Sequence, residues 1–329
     1  MKRILLVHTG GTFGMVPAEP KSILAPGNFQ SQILINVPEI VNIADIDVEI
    51  PFNLDSSNIG IKEWQILTEL INARMDDYDG FVIIHGTDTM VYTAAALSFT
   101  LRNLNKPVIL TGAQRPLSKL RSDARTNLID AVELATMDIF EVLIVFGQKI
   151  VRGTRAKKVS ISSYDAFESP NFPLIGEIGL NIKLNKLLLY KSAAKYSFLP
   201  GFNQKALIVS IVPSLKPEYY FPMLENDIEA YIFTGFGAGN LPNTEPNWIP
   251  FIQNAEKLGK SVFICSNSMH GSVDLSLYES GQKALEAGAV GLADMTIESA
   301  YIKLLKILNI TDIPGEIVSL MNENWAGEI

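Results

Sequence analysis

The chain has 329 residues, of which 47% are apolar and 19% charged, and its formal net charge is −8 at pH 7. This length is enough for one large or two medium domains, and the apolar fraction favours a full hydrophobic core over disorder. The negative charge argues against nucleic acid or an anionic membrane surface as the main partner.

Cysteine and histidine usage limits the chemistry further. Cys265 is the single cysteine, so an internal disulfide is excluded, which fits a reducing compartment. The three histidines, His8, His85 and His270, are far apart and form no metal-ligand pattern, so we expect no metal site. No segment approaches 18 apolar residues, and the apolar run at residues 4–7 is too short for a signal peptide, so we expect no membrane partner.

The first half of the chain alternates strand and helix patterns. Apolar runs predict strands, and apolar residues at helical spacing predict helices. The predicted strands cover residues 2–7, 47–54 (broken by Pro51), 81–84, 107–110 and 142–146, and the predicted helices cover residues 62–75, 89–103 and a segment capped by Ser122. This alternation predicts a mostly parallel sheet with helices on both faces.

The second half differs. Residues 148–180 predict a hairpin-like extension, and residues 185–204, which show no sustained period, predict a linker. Further strands are expected at residues 206–211, 230–233 and 261–265, and helices at residues 247–258, 275–287 and 297–308. The sequence therefore predicts an α/β protein with a larger N-terminal domain (1–184), a linker (185–204) and a smaller C-terminal α/β domain (205–329).

Residues 80–89, with the sequence GFVIIHGTDT, predict a buried strand, a glycine turn and the start of a helix. Ligands bind at such strand ends in open α/β sheets, and here Thr87 and Asp88 place a hydroxyl beside a carboxylate. The alternative is that Thr87, Asp88 and Thr89 only cap the helix.

Hydroxyls also follow two other predicted strands, and parallel strands bring their ends to one sheet edge. The candidate groups are Thr12, Ser56, Ser57, Thr87, Asp88 and Lys158. A threonine hydroxyl needs a neighbouring base to become a nucleophile, and a buried lysine can serve as that base, with glycine-turn N–H groups as an oxyanion hole. Such a set would support acyl transfer on a small carbonyl substrate. The alternative is that the hydroxyls close turns and that Lys158 is a solvated surface lysine.

Residues 13–30 contain two glycines and three prolines, which predicts a long irregular loop. Loops of this length often act as lids or mobile segments. Thr12 would then lie between a rigid strand end and a flexible flap.

Seven short motifs occur in order along the chain, at residues 9–14 (TGGTFG), 85–90 (HGTDTM), 111–116 (TGAQRP), 121–123 (RSD), 165–171 (DAFESPN), 237–240 (GAGN) and 293–296 (ADMT). These motifs resemble those of the bacterial and archaeal L-asparaginases, and the type I (cytoplasmic) branch is the closer one. The likeness runs over nearly the full length of the chain.

The resemblance implies roles for individual residues. Thr12 matches the threonine that acts as acylating nucleophile, and Thr87 matches a second essential threonine, which Lys158 activates. Asp88 would belong to the same cluster and bind the substrate α-ammonium. Ser56 would bind the α-carboxylate, and Ser57 stands where the family has a further substrate contact.

The resemblance also implies the wider setting. The substrate would be L-asparagine, with minor glutaminase activity, in the cytoplasm and without a cofactor or metal. Asn240 matches a residue of the C-terminal domain that reaches the site of a neighbouring subunit, so the site would require a homodimer or homotetramer.

Two positions depart from the family pattern. The family usually has a tyrosine on the loop after Thr12, whereas residues 13–50 contain none and Ser22 occupies about that position. Ser272 stands near the place of a glutamate found in secreted relatives, which the type I branch typically lacks.

Two other functions stay open at this stage. One is the related amide-hydrolysing component of tRNA-dependent amidotransferases, which carries an extra N-terminal domain. A first strand expected from Lys2 and the negative net charge argue against it. The other is a non-enzymatic amino-acid-binding protein on the same scaffold, which would not need a lysine base beside a threonine.

Overall fold

The computed structural model describes residues 1–11, 13 and 33–329. Thr12, Ser22 and almost all of the predicted loop at residues 13–30 lie outside this part of the chain. The described residues form two compact units, Met1–Pro200 and Gly201–Ile329. Both are α/β, which confirms the predicted fold class.

The first unit is built on an eight-stranded sheet. The unit has twelve strands in the described residues, eight of which form this sheet. In chain order they are β1 (Arg3–His8), β2 (Asp45–Glu49), β3 (Gly80–Ile84), β4 (Leu101–Arg102), β5 (Val108–Thr111), β6 (Val142–Phe146), β7 (Lys149–Arg152), β8 (Lys157–Lys158), β9 (Phe167–Glu168), β10 (Gly176–Ile178), β11 (Ile182–Leu184) and β12 (Ser197–Phe198). The sheet order is β11-β10-β7-β6-β5-β3-β1-β2, and β4 with β12 and β8 with β9 form separate pairs. The pairs from β2 to β6 are parallel, and those from β6 to β11 antiparallel.

Helices cover both faces of this sheet, as the sequence predicts. They are α1 (Ile61–Ala73), α2 (Met90–Thr100) and α3 (Ala124–Ala135). Successive residues of a strand point to opposite faces, and in β1 Leu5 packs into the core that holds α1 and α2, whereas Leu6 packs into the core that holds α3. Both faces are buried, which is why the central strands read as continuous apolar runs.

The second strand covers Asp45–Glu49, so it begins before the predicted range of residues 47–54. It ends before Pro51, where the sequence predicts a break, because proline has no N–H to donate to a ladder. Leu54 returns to the sheet edge through a single bridge to Gly10. Residues 149–184 extend the sheet through antiparallel pairs, in line with the predicted hairpin-like extension.

The predicted linker at residues 185–204 contains structure of its own. Its strand β12 pairs with β4, and the first unit extends to Pro200. The domain boundaries at residues 184 and 205 stay a prediction.

The second unit has a parallel four-stranded sheet in the order β13 (Ala206–Ser210), β14 (Ala230–Gly235), β15 (Ser261–Ser266) and β16 (Ala289–Gly291). Its helices are α4 (Ile249–Lys257), α5 (Glu279–Glu286), α6 (Ile297–Ile307) and α7 (Pro314–Asn322). The helix predicted over residues 275–287 begins later, at Glu279, because Tyr278 is extended with φ −133°. Gly288, with φ +99°, follows the helix as predicted.

Candidate active site

The site is organised by the carboxyl ends of two adjacent strands. Strands β1 and β3 are parallel and in register, with His8 opposite Ile84, so the residues that follow them meet at the same sheet edge. Strand β2 lies on the other side of β1, so the order in which strands are added to the sheet reverses between β1 and β3. Crevices of this kind are the usual ligand sites of open α/β sheets.

Close backbone contact at this edge requires glycine. Gly11 has φ +79°, and a Cβ there would lie 2.5 Å from the Cα of Gly86. A Cβ on Gly86 would in turn lie 2.6 Å from the Ser56 Oγ. The turns after β1 and β3 and the segment around Ser56 therefore pack with no space for side chains between them.

Ser56 is held in this cluster by a neighbouring threonine. Its side chain is buried, and the Thr89 Oγ1 donates to its carbonyl oxygen at 2.6 Å. Thr89 occupies the N-cap of α2 but makes no side-chain capping bond, so the alternative of a simple cap is wrong for Thr89. Its hydroxyl instead joins the turn after β3 to the Ser56 segment.

Ser57 is exposed and paired with Asp55. The Asp55 Oδ1 accepts from the Ser57 hydroxyl at 2.7 Å and from its backbone N–H at 2.8 Å. These two hydrogen bonds, first from the side chain and then from the backbone, hold the pKa of Asp55 below its usual value. Because the single hydroxyl proton of Ser57 goes to Asp55, its oxygen can only accept from a ligand.

The structure brings Lys158 to Thr87, although 71 residues separate them. The Lys158 Nζ lies 2.9 Å from the Thr87 Oγ1 and also bonds the Asp88 Oδ1. The Lys158 side chain is 14% exposed and that of Asp88 64% exposed, so the alternative of a solvated surface lysine is wrong. Lys158 lies on β8 opposite Phe167, whose ring is buried and packs edge-on against Phe146.

Gln114 also reaches Thr87, and the sequence did not single it out as a site residue. The Thr87 hydroxyl donates to the Gln114 Oε1 at 3.4 Å. The Gln114 amide nitrogen donates to the carbonyl oxygens of Ser160 at 3.3 Å and Ser163 at 3.0 Å. The TGAQRP motif at residues 111–116 was the available signal, but nothing in it indicates a contact with Thr87.

His85 lies beneath the turn and is fully buried. Its Nδ1 is 2.7 Å from the Gly86 carbonyl oxygen, which can only accept, so the proton is on Nδ1 and Nε2 accepts from the Thr93 hydroxyl at 2.9 Å. Burial lowers the pKa of His85 to about 4. His85 is therefore neutral near pH 7, and both ring nitrogens are used in holding the turn.

The remaining predicted residues cannot be joined to this cluster. Thr12 follows Gly11 in the sequence but lies outside the described residues. Asn240 belongs to the second unit, where the Ser280 hydroxyl donates to its Oδ1 at 2.8 Å. Within residues 1–11, 13 and 33–329, no group of three or more His, Cys, Asp and Glu side chains is suited to a metal ion. The same part of the chain has no helix long and apolar enough to cross a membrane.

Comparisons with known proteins agree with the predicted resemblance. Residues 3–190 match the family described as "Asparaginase, N-terminal", and residues 205–321 match "Glutaminase/Asparaginase C-terminal domain". L-asparaginase 1 from Escherichia coli (strain K12) is 37% identical over 333 residues, covering 100% of this chain and 98% of that protein.

Two further relatives match over the whole of this chain. The crystal structure of L-asparaginase I from Vibrio cholerae O1 biovar eltor str. N16961 has a TM-score of 0.90 and 34% identity, covering 100% of this chain and 99% of that one. A glutamyl-tRNA(Gln) amidotransferase component from Pyrococcus abyssi is 34% identical and covers 100% of this chain and 77% of that protein. By the extent of these matches, the chain belongs to the asparaginase family.

Proposed function

We propose that this chain is an L-asparagine amidohydrolase, which converts L-asparagine and water to L-aspartate and ammonia through a threonine acyl-enzyme. The observation that carries the proposal is the contact of 2.9 Å between the Lys158 Nζ and the Thr87 Oγ1. A lysine held mostly out of water against a hydroxyl is the arrangement that proton transfer from a weak nucleophile requires.

In the proposed reaction, the Thr12 hydroxyl attacks the carbonyl carbon of the asparagine side chain and its proton passes to the Thr87–Lys158 pair. The leaving amide nitrogen takes this proton back from the Thr87–Lys158 pair, so ammonia departs and leaves an aspartyl ester on Thr12. Water then gives a proton to the same pair as it attacks the ester, and that proton passes to the Thr12 oxygen as aspartate is released. Backbone N–H groups at the glycine turns would stabilise the negative oxygen of each intermediate. Apart from the substrate and water, every group in these steps belongs to the protein, so the proposed reaction needs no metal or cofactor.

The charges near Thr87 suit the backbone groups of a free amino acid. Asp88 offers an exposed carboxylate for the substrate α-ammonium. The Ser57 hydroxyl donates its hydrogen to Asp55, so the Ser57 oxygen can only accept and would also favour an ammonium over a carboxylate. We assign the α-carboxylate to the buried Ser56 beside Gly86. A glutamine side chain is longer by one methylene, which a pocket discriminates by only ~1–3 kcal/mol, so minor glutaminase activity is part of the proposal.

We further propose that Asn240 of one subunit completes the site of another, in a cytoplasmic homodimer or homotetramer. The Ser280 hydroxyl donates to the Asn240 Oδ1, and the Asn240 amide nitrogen is the group that would donate to a ligand. The domain division at residues 184 and 205 belongs to the same proposal, with the active-site threonines on the first domain.

A second function is favoured by the 34% identity to the glutamyl-tRNA(Gln) amidotransferase component. The name of that relative implies amide chemistry tied to a tRNA, whereas the hydrolysis of free asparagine needs no tRNA. The negative net charge of −8 favours the independent enzyme.

Ammonia release from asparagine and from glutamine, measured with the purified chain alone, tests the proposal. Asparagine should be hydrolysed without tRNA, Thr12→Ala and Thr87→Ala should be inactive, and Lys158→Met should be strongly impaired. Lys157→Met, the neighbouring lysine on β8, is the matched control and should retain activity. Full activity in Thr87→Ala or Lys158→Met would refute the mechanism, and a binding protein would release no ammonia at all.

A further inference from the structure

A group beside the proposed catalytic residues remains without a role in the reaction. It consists of the Gln114 side chain, which faces Thr87, and the Asp123 carboxylate, which holds the backbone of Gln114. We propose that Asp123 and Gln114 are positioning residues, which fix the Thr87 hydroxyl and direct its proton away from Lys158 in the resting enzyme. This inference rests on the proposed function.

The direction of the proton follows from the atoms present. Thr87 has one hydroxyl hydrogen, and the Gln114 Oε1 can only accept, so that hydrogen points to Gln114. The Lys158 Nζ then donates to the Thr87 oxygen. The resting order of donation is therefore Lys158 to Thr87 to Gln114, and the Thr87 hydrogen must turn toward Lys158 before the lysine can accept a proton.

The Gln114 amide is fixed in this orientation. Its nitrogen donates to the carbonyl oxygens of Ser160 and Ser163, at 3.3 and 3.0 Å. A flipped amide would place its oxygen against these two acceptors and its nitrogen toward Thr87. The oxygen is therefore the atom that Gln114 presents to the hydroxyl.

Asp123 supports this arrangement from the main chain. Its carboxylate accepts from the backbone N–H of Gln114 at 2.9 and 3.1 Å and from that of Arg115 at 3.0 Å. The Asn127 side chain donates to the same carboxylate at 3.2 Å. Although Asp123 is the N-cap residue of α3, its side chain makes no helix-capping bond. The Ser122 Oγ instead accepts from the Ala124 N–H at 3.1 Å, so the Asp123 charge serves the loop rather than the helix.

The test compares kcat, KM and the pH profile of Gln114→Met, Gln114→Glu, Asp123→Asn and the Gln114→Met/Asp123→Asn double variant. Gln114→Met removes the group that fixes the Thr87 oxygen, and Asp123→Asn loosens the support of that group. Misplacement of the Thr87 oxygen should outweigh the release of its hydrogen, so each variant should lower kcat about fivefold to tenfold, the effect of one hydrogen bond. KM should stay within about twofold, because neither residue is assigned to the substrate. The double variant should resemble Gln114→Met alone, since Asp123 acts through Gln114.

Gln114→Glu provides the readout that a purely structural role would not change. It places a negative charge beside Thr87 and near Lys158, which favours the ammonium form of the lysine. The acidic limb of the kcat/KM profile should therefore move to higher pH by about one unit. Ser122→Ala is the matched control, because its hydroxyl bonds the same loop at the Arg115 carbonyl, at 2.9 Å, without facing Thr87. Its pH profile should be that of the wild type.

Three results would overturn the inference. Wild-type kcat and pH profile in Gln114→Met and Gln114→Glu would do so, as would an additive loss in the double variant or an equal loss in Ser122→Ala. An inactive Thr87→Ala beside such results would leave the proposed function standing. A fully active Thr87→Ala would instead remove the proposed function.

Discussion

Gly11 gives the sharpest prediction, because Gly11→Ala forces the two strand ends of the site apart. Gly11 has φ +79°, and an added Cβ would lie 2.5 Å from the Gly86 Cα and 2.7 Å from the Gly86 N. Both of these atoms belong to the backbone, so rotation of a side chain cannot relieve the clash. The turn that precedes Thr12 in the sequence must move away from the turn that carries Thr87.

Two costs add in this variant. An alanine in the left-handed region costs ~1–2 kcal/mol relative to glycine. Overpacking against rigid neighbours costs a further ~1–3 kcal/mol, so the free energy of unfolding should fall by about 2–5 kcal/mol. Displacing catalytic groups by about 1 Å is enough to lower the rate about 100-fold. We therefore expect kcat/KM for asparagine to fall by roughly that factor in folded Gly11→Ala protein.

Gly259→Ala is the matched control. Gly259 has a similar φ of +71°, but the nearest atom to its added Cβ is the Pro314 Cγ at 3.9 Å. It carries the backbone strain without the clash, so its unfolding free energy should fall by only ~1–2 kcal/mol and its activity should stay near that of the wild type. Urea unfolding and ammonia release on both variants separate the two costs. Wild-type kcat/KM in Gly11→Ala would refute the proposed convergence of the strand ends.

Three predictions concern stability. Lys303→Met should lower the free energy of unfolding by about 3–5 kcal/mol in urea titrations. It removes the cation that lies 2.7 Å from the fully buried Glu328 carboxylate. A smaller loss in the Lys303→Met/Glu328→Gln variant would confirm that the unpaired charge is the cause. Burial lowers the pKa of His85 from 6.5 to about 4, so below pH 6.5 the unfolded state binds the extra proton, and this residue should cost about 2 kcal/mol of stability between pH 7 and pH 5. His85→Gln should remove that dependence, and an unchanged pH slope would contradict the assignment. Burial, together with the charge of Glu133, raises the pKa of Asp130 from 3.8 to about 6. Between these two values the native state binds a proton that the unfolded state has lost, so the stability that this proton contributes is lost as the pH rises through 6. Asp130→Asn should abolish this dependence of stability on pH, which is opposite in sign to that of His85.

Apolar periodicity predicted the layered fold because the central strands are buried on both faces. Strand β16 was not predicted, because it has only three residues and is a strand by virtue of its pairing with β15. Helix α7 also went unpredicted, although Pro314 marks its first turn.

The candidate site was predictable only in part. The strand-end motifs predicted Thr87 and Asp88, and the family resemblance predicted a role for Lys158. The contact between Gln114 and Thr87 depends on three loops meeting in space, namely those at residues 112–123, 159–166 and 85–89. No periodic pattern in the sequence predicts a contact between loops that are distant along the chain. Thr89 likewise bonds the Ser56 carbonyl oxygen instead of capping its helix, and this depends on tertiary contacts that the local sequence does not predict.

The most direct measurement of the proposed mechanism is to stop the reaction with acid during the first turnovers on asparagine and to map any covalent adduct by peptide mass spectrometry. The wild-type chain should carry one aspartyl group on the peptide that contains Thr12, and Thr12→Ala should carry none. An aspartyl group on Thr87, or one that persists in Thr12→Ala, would contradict the mechanism.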